Sequence, residues 1–203
     1  MKFKLVPAAP DTVAFVADAQ AAVPLVPGSE DDCCARLLHR LGFRSRDVAR
    51  TWLTFLRALG LAAETDEGFK RVRADPTPAY VREQFLSGVY GASDVADALL
   101  ASESDDGATG DADGTTVDEA FAAFVDRVPQ WERYRTDDWE SVWRERVERH
   151  LAWFALLDLA TRRDGRYVAT DRLRDLRGGG LQGTRAGSTI ARARAMDERT
   201  NDA

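Results

Sequence analysis

The segments Trp52–Val72 and His150–Val168 follow one plan: the end of an apolar-faced helix, a Leu-Ala step, a charged turn with an Asp and a Gly, then a short strand. Leu61-Ala62 with Asp66 and Gly68 in the first copy answer to Leu159-Ala160 with Asp164 and Gly165 in the second. The copies lie about a hundred residues apart in a chain of 203. A helix that runs into a tight hairpin has to bury its apolar face against other helices, and this chain must supply that cover twice.

At 203 residues and 44% hydrophobic composition the chain is long enough for one or two domains with proper cores. No apolar run approaches the roughly 18 residues of a membrane span. The opening Met-Lys-Phe-Lys-Leu-Val-Pro lacks the apolar region and cleavage site of a secretory signal, so a cytoplasmic protein is expected. Only Lys2, Lys4 and Lys70 among the 28 basic residues are lysine. With abundant Asp, Glu and Ala, this bias resembles proteins of salt-loving archaea, although any GC-rich genome would also produce it. An acidic, lysine-poor surface stays soluble where salt screens charge over a few ångströms. Cys33 and Cys34 are neighbours, which strains a disulfide between them. Neither belongs to a Cys-x-x-Cys or stands at ligand spacing from a His, so they are expected as small core residues without a metal.

Residues 2–6 alternate as a short strand closed by Pro7 and Pro10, and Asp11 is placed to cap a helix reaching about Val23. Pro24, Pro27 and Gly28 break it. Ser29 with Asp32 imitates a capping box and opens a second helix to about Leu41, which Gly42 ends. Ser45 caps a third helix running to Leu59, stopped by Gly60, and Leu61–Val72 forms a hairpin around Asp66-Glu67-Gly68. A linker over 74–79 leads to helices at about 79–88 and 93–102. The acidic, glycine-rich stretch 102–116 reads as a disordered surface loop, and its Asp111-Ala-Asp113-Gly114 lacks the carboxylate a calcium loop needs twelve positions from its start. Val117–Val128 is amphipathic and Pro129 ends it; an irregular connection to Thr136 follows. Asp137 or Asp138 opens the longest helix, to about Leu159, with Trp139, Trp143, Val147, Leu151, Phe154 and Leu157 on one face. The tail after Asp171, with Gly178-Gly179-Gly180, carries too few large apolar residues to order itself.

From Cys34 to Val72 the succession of helix, glycine turn, Ser-capped helix, Leu59-Gly60-Leu61 and hairpin resembles winged helix-turn-helix regulators. The bulky Trp52 and Phe55 are a departure that enlarges the apolar face of the third helix. The repeat extends the likeness to tandem winged-helix proteins of halophilic archaea. It implies a mainly α fold with short β-hairpin wings: unit 1 over 1–75 with its N-terminal strand, unit 2 over 79–170, and a disordered tail over 171–203.

The resemblance also implies a surface. A winged helix lays its third helix in the major groove, where arginine reaches guanine edges and phosphates. Arg46, Arg50 and Arg57 fall within about 40° on the side of that helix opposite its apolar face, with Thr54 beside them. Residues 33–63 hold six arginines and one acid, a net of +5 inside a protein of net −6. Arg44, Arg46, Arg50, Thr54 and Arg57 are therefore the DNA-contact candidates, with Lys70, Arg71 and Arg73 of the wing on flanking phosphates. Solvation of an exposed face is the competing role, and Glu30 to Asp32 stand near enough in sequence to neutralise part of the patch. Burial of Arg46 and Arg50 against the second unit would remove the surface altogether.

Unit 2 differs in charge. Residues 79–170 carry 19 acids against 10 arginines, net −9, and the long helix mixes signs through Glu140, Arg144, Glu145, Glu148 and Arg149. That pattern suits a dimer or partner contact, with Trp131, Arg144 and Glu148 as candidates and Trp131 as an exposed aromatic anchor. The tail, net +2, reads as inert. No enzyme is expected: His39 and His150 are isolated, Gly178-Gly179-Gly180 lacks the strand-glycine-helix setting of a phosphate loop, and no nucleophile elbow or paired metal motif occurs. No cofactor is called for. The two readings left are a DNA-binding regulator, with double-stranded DNA and a protein partner or second copy as its partners and no membrane, and a non-enzymatic adaptor whose wings both face protein. A helical subunit of an enzyme with its active site on another chain is a remote third.

Overall fold

The computed structural model describes residues 4–105, 114–135 and 137–178. In the first half, helices α1 (Phe15–Ala22), α2 (Glu30–Leu41) and α3 (Arg46–Ala58) precede the hairpin β1 (Ala62–Thr65) and β2 (Gly68–Arg71). The strands pair antiparallel with Ala62 opposite Arg71 and Thr65 opposite Gly68, and Gly28, just ahead of α2, bridges to Phe69. Helix α4 (Pro78–Gly88) connects the halves. In the second, α5 (Ala92–Asp105), α6 (Val117–Phe124), a 3-10 turn at Val125–Arg127, the single turn α7 (Gln130–Arg133) and the long α8 (Trp139–Leu156) lead into β3 (Ala160–Arg163) and β4 (Arg166–Ala169). Thr115, just ahead of α6, bridges to Tyr167 as Gly28 does to Phe69. Helix–bridge–helix–helix–hairpin is the winged-helix order, and the chain builds it twice in tandem, with the 3-10 turn and α7 inserted before the last helix of the second copy. Helix α9 (Asp171–Gly178) follows the second hairpin.

The two copies agree bond by bond. The Leu61 amide donates to Leu56 and the Leu159 amide to Phe154, each at 2.8 Å. Val72 donates back to Leu61 at 2.9 Å and Thr170 to Leu159 at 3.0 Å. Between helix and hairpin the chain takes one left-handed residue, Gly60 (φ 67°) in the first unit and Asp158 (φ 58°) in the second. Aspartate is one of the few side chains that tolerate this conformation, because its short polar group bonds locally.

Sequence signals set the helix ends. Ser29 accepts from the Asp32 amide and Ser45 from the Val48 amide, satisfying N–H groups that a helix start leaves unpaired. Thr116 and Glu119 complete a reciprocal capping box on α6. Gly42 closes α2 in the left-handed conformation. Gly88 serves packing instead. A Cβ there would stand 2.0 Å from the carbonyl oxygen of Ala58, so only glycine lets α4 lie against the end of α3.

The core is continuous across the halves. Phe55 of α3 and Trp153 of α8 have ring centres 4.7 Å apart; Trp52 stands 6.1 Å and Phe85 of α4 5.8 Å from the same indole. Trp52 and Phe55, expected to enlarge the core of the first unit, also fasten it to the second. The N-terminal segment runs along this seam: Arg149 donates to the Val6 carbonyl at 3.0 Å and the Trp153 indole to the Pro7 carbonyl at 2.8 Å.

Several expectations change. Residues 4–6, the start of an N-terminal strap that runs to Ala8, belong to no strand: the Val6 carbonyl is taken by the Arg149 side chain rather than by a neighbouring strand, and residues 2 and 3 lie outside the described region. Helix α1 starts at Phe15, with Ala14 rather than Asp11 at its cap. The stretch 102–116 is no continuous loop: α5 extends to Asp105, and Gly114 to Thr116 are fixed by the bridge to Tyr167 and the cap of α6, while 106–113, including Asp111 and Asp113, lie outside the described region. The tail is helical to Gly178 because Leu173 is buried and Arg177 pairs with Asp97; Gly179, Gly180 and the rest of the tail lie outside the described region. Cys33 and Cys34 are buried free thiols, as expected. Burial pushes both thiols up, away from the reactive thiolate. Among the described residues no group of side chains is arranged to hold a metal ion, and no helix is long and apolar enough to cross a membrane.

Candidate nucleic-acid interface

Only the C-terminal half of α3 is sealed in the seam. Its N-terminal half keeps a solvent face, and Arg46 and Arg50 are 59% and 53% exposed there. They are therefore not buried against the second unit. Arg44, in the turn before Ser45, is exposed, and Thr54 is half-buried one turn beyond Arg50. In the wing, Lys70 and Arg71 are half-buried opposite Ala63 and Ala62, and Arg73 is exposed.

The fold adds carboxylates to this face. Arg50 donates through Nε to Glu30 at 2.6 Å and lies 3.6 Å from Asp47; the Glu30 bond raises its pKa above the ordinary guanidinium value. Arg46 is 3.5 Å from Asp31. Arg57 pairs with Glu64 of β1 and covers the Phe69 ring at 5.2 Å. The wing tip presents Asp66 and Glu67 to solvent. Among the described residues Arg44, Lys70, Arg71 and Arg73 take part in no ion pair. The N-terminus of α2 sits beside α3, so Glu30 and Asp31 offset part of the positive count over 33–63.

One pair has an image in the second unit. Asp118 stands on α6 two residues after its cap, as Asp31 stands on α2, and it binds Arg144 of α8 at 2.9 Å. Arg144 holds in α8 the place of Arg46 in α3. In both units the pair links the helix after the bridge to the helix before the hairpin, and all four side chains are more than half exposed. At the places of Arg50, Thr54 and Arg57, however, α8 carries Glu148, Ala152 and Ala155. The two units thus share a frame and differ in the charge they present.

The partner-contact candidates separate as well. Trp131 is 57% exposed on α7, with the Lys4 ammonium 4.6 Å from its ring centre. Arg144 is taken up by α6, through Asp118 and the Phe121 ring, and Glu148 is exposed on α8. Sequence patterns did not single out Glu132, which accepts from Lys4, from the Trp143 indole at 2.9 Å and from Arg146 at 3.1 Å. Burial pushes its carboxyl up, but Lys4 and Arg146 outweigh this and hold it below the usual carboxylate range. His150 is buried with its two ring nitrogens against the carbonyls of Arg146 and Tyr90, and burial pushes its pKa down. Its partners lie 60 and 4 residues away, so neither role was visible as a motif.

The model of one family, the halobacterial double winged helix domain, matches residues 1–174. A comparison with curated proteins and one with solved structures each gave no match.

Proposed function

Because the chain belongs to the halobacterial double winged helix domain family, we propose that it is a DNA-binding regulator whose first unit meets duplex DNA and whose second makes the dimer or partner contact. The observation that carries this reading is the uncovered N-terminal half of α3 with the turn before it, where Arg44, Arg46 and Arg50 face solvent, while α8 carries Val142, Arg144 and Glu148 at the matching places. Arg44, Arg50 and Thr54 take the groove, and Lys70, Arg71 and Arg73 the flanking phosphates. Phosphate must displace Glu30 from Arg50. Solvent screens an exposed pair of this kind, so the exchange is inexpensive. Arg46, bound to Asp31 in the manner of Arg144 and Asp118, positions α3 and adds charge.

That same repeated pair favours a second reading, a protein-facing adaptor in which the arginines of α3 serve the fold alone. Gel retardation of mixed duplex fragments separates the two. The regulator binds at the lowest salt at which circular dichroism shows it folded, and Arg44→Ala with Arg50→Ala abolishes retention. No retardation by the folded wild-type protein refutes the regulator and favours the adaptor.

A further inference from the structure

Lys4 is one of three lysines in a chain that otherwise uses arginine, and its ammonium sits in a box. Its Nζ lies 4.6 Å from the ring centre of Trp131, 5.4 Å from Tyr90 and 5.9 Å from Trp143, and it donates to Glu132. Rings at these distances attract a cation through their negative faces. The walls come from three places in the second unit: Tyr90 from the α4–α5 turn, Trp131 and Glu132 from α7, Trp143 from α8. Glu132 is fixed from behind by the Trp143 indole and Arg146, so the carboxylate is set in place independently of Lys4. The box opens to solvent, since Trp131 is 57% exposed and the Lys4 side chain 28%.

Lys4 enters this box as a tethered guest rather than a wall. Among the described residues no backbone hydrogen bond holds Lys4 or Leu5, and Leu5 is 42% exposed; the first fixed carbonyl is that of Val6. We propose that Tyr90, Trp131, Glu132 and Trp143 form a receptor for a small alkylammonium ion, free or N-methylated, which Lys4 fills in cis. A tethered occupant on a short flexible segment acts at millimolar effective concentration, so an external ammonium ion competes with it in that range. Entry of the ion frees the start of the strap. The strap continues to Pro7 and Ala8, which close a cavity of about 270 Å³ against Val48, Thr51 and Trp52 of α3. The receptor stands independently of the DNA-binding reading.

Tetramethylammonium is the probe, titrated against potassium at constant ionic strength and followed by tryptophan fluorescence. Lys4→Ala shows a saturable response to tetramethylammonium that potassium does not give, with a midpoint about tenfold below that of the wild type because the tethered competitor is gone. Lys4→Gln, which keeps the aliphatic stem, gives the same lowering. Adding Trp131→Ala to either variant abolishes the response. A response no stronger than that to potassium, or one midpoint for wild type and both Lys4 variants, overturns the proposal.

Discussion

Truncating Trp153 to alanine removes the side chain on which the two units meet. Its indole is wholly buried, its ring contacts reach Trp52, Phe55 and Phe85, and its N–H satisfies the Pro7 carbonyl at 2.8 Å. Loss of a buried aromatic of this size costs about 3–5 kcal/mol, and the stranded carbonyl adds about 1–3 kcal/mol. The terms overlap, so roughly 4–6 kcal/mol is expected, most of the stability of an ordinary domain. Trp153 belongs to the second unit, yet Trp52 and Phe55 among its ring contacts lie in the first. Amide exchange in α3, over Leu53–Ala58, should therefore accelerate with that in α8, by roughly 10³–10⁴-fold. Measured at fixed high potassium chloride beside a denaturant titration, a variant that destabilises α8 while α3 keeps its wild-type protection would refute the single shared core. Trp153→Phe, which keeps a ring and loses the indole donor, should cost only about 1–3 kcal/mol.

Other perturbations follow from the same contacts. Glu30→Gln removes the carboxylate charge bound to Arg50, which also repels phosphate, so DNA affinity should rise about two- to fivefold at constant salt by fluorescence anisotropy; a fall would mean that Glu30 orders the contact rather than masking it. Burial lowers the pKa of His150, so the unfolded chain binds the extra proton first. Stability should be complete above about pH 6.5 and fall as the pH drops below it, by up to about 1.4 kcal/mol per pH unit until the folded pKa is reached. His150→Phe should flatten that slope in denaturant titrations below about pH 6.5. Gly88→Ala should prevent α4 from docking, because its Cβ would meet the Ala58 carbonyl at 2.0 Å; a variant with wild-type melting behaviour would contradict that packing.

Local chemistry wrote much of this fold into the sequence. Ser29, Ser45, Gly42 and Gly60 mark helix ends with groups that act within three or four residues, and each acts where expected. The repeated Leu-x-Leu exit into a hairpin is equally local. What stayed hidden depends on partners distant in the chain. Thr115 sits in an acidic, glycine-rich stretch whose composition suggests disorder, yet the far-off Tyr167 of the second wing pairs with it. Lys4 and Leu173 have no local pattern and owe their places to Glu132 and to the packing of α9. On the candidate DNA surface the arginine face of α3 was legible, because helical spacing alone defines it. How far acids mask it was not, since that depends on Glu30 and Asp31 of α2 packing beside α3.

The claim that one unit carries the DNA contact is tested most directly by mapping amide chemical shifts while a short duplex is titrated into the folded protein. The account predicts perturbations concentrated on Arg44–Thr54 and the first wing, over Lys70–Arg73, with the amides of Trp139–Ala152 in α8 essentially unmoved. Perturbations centred on α8 or the second wing, or no perturbation at saturating duplex, would contradict it.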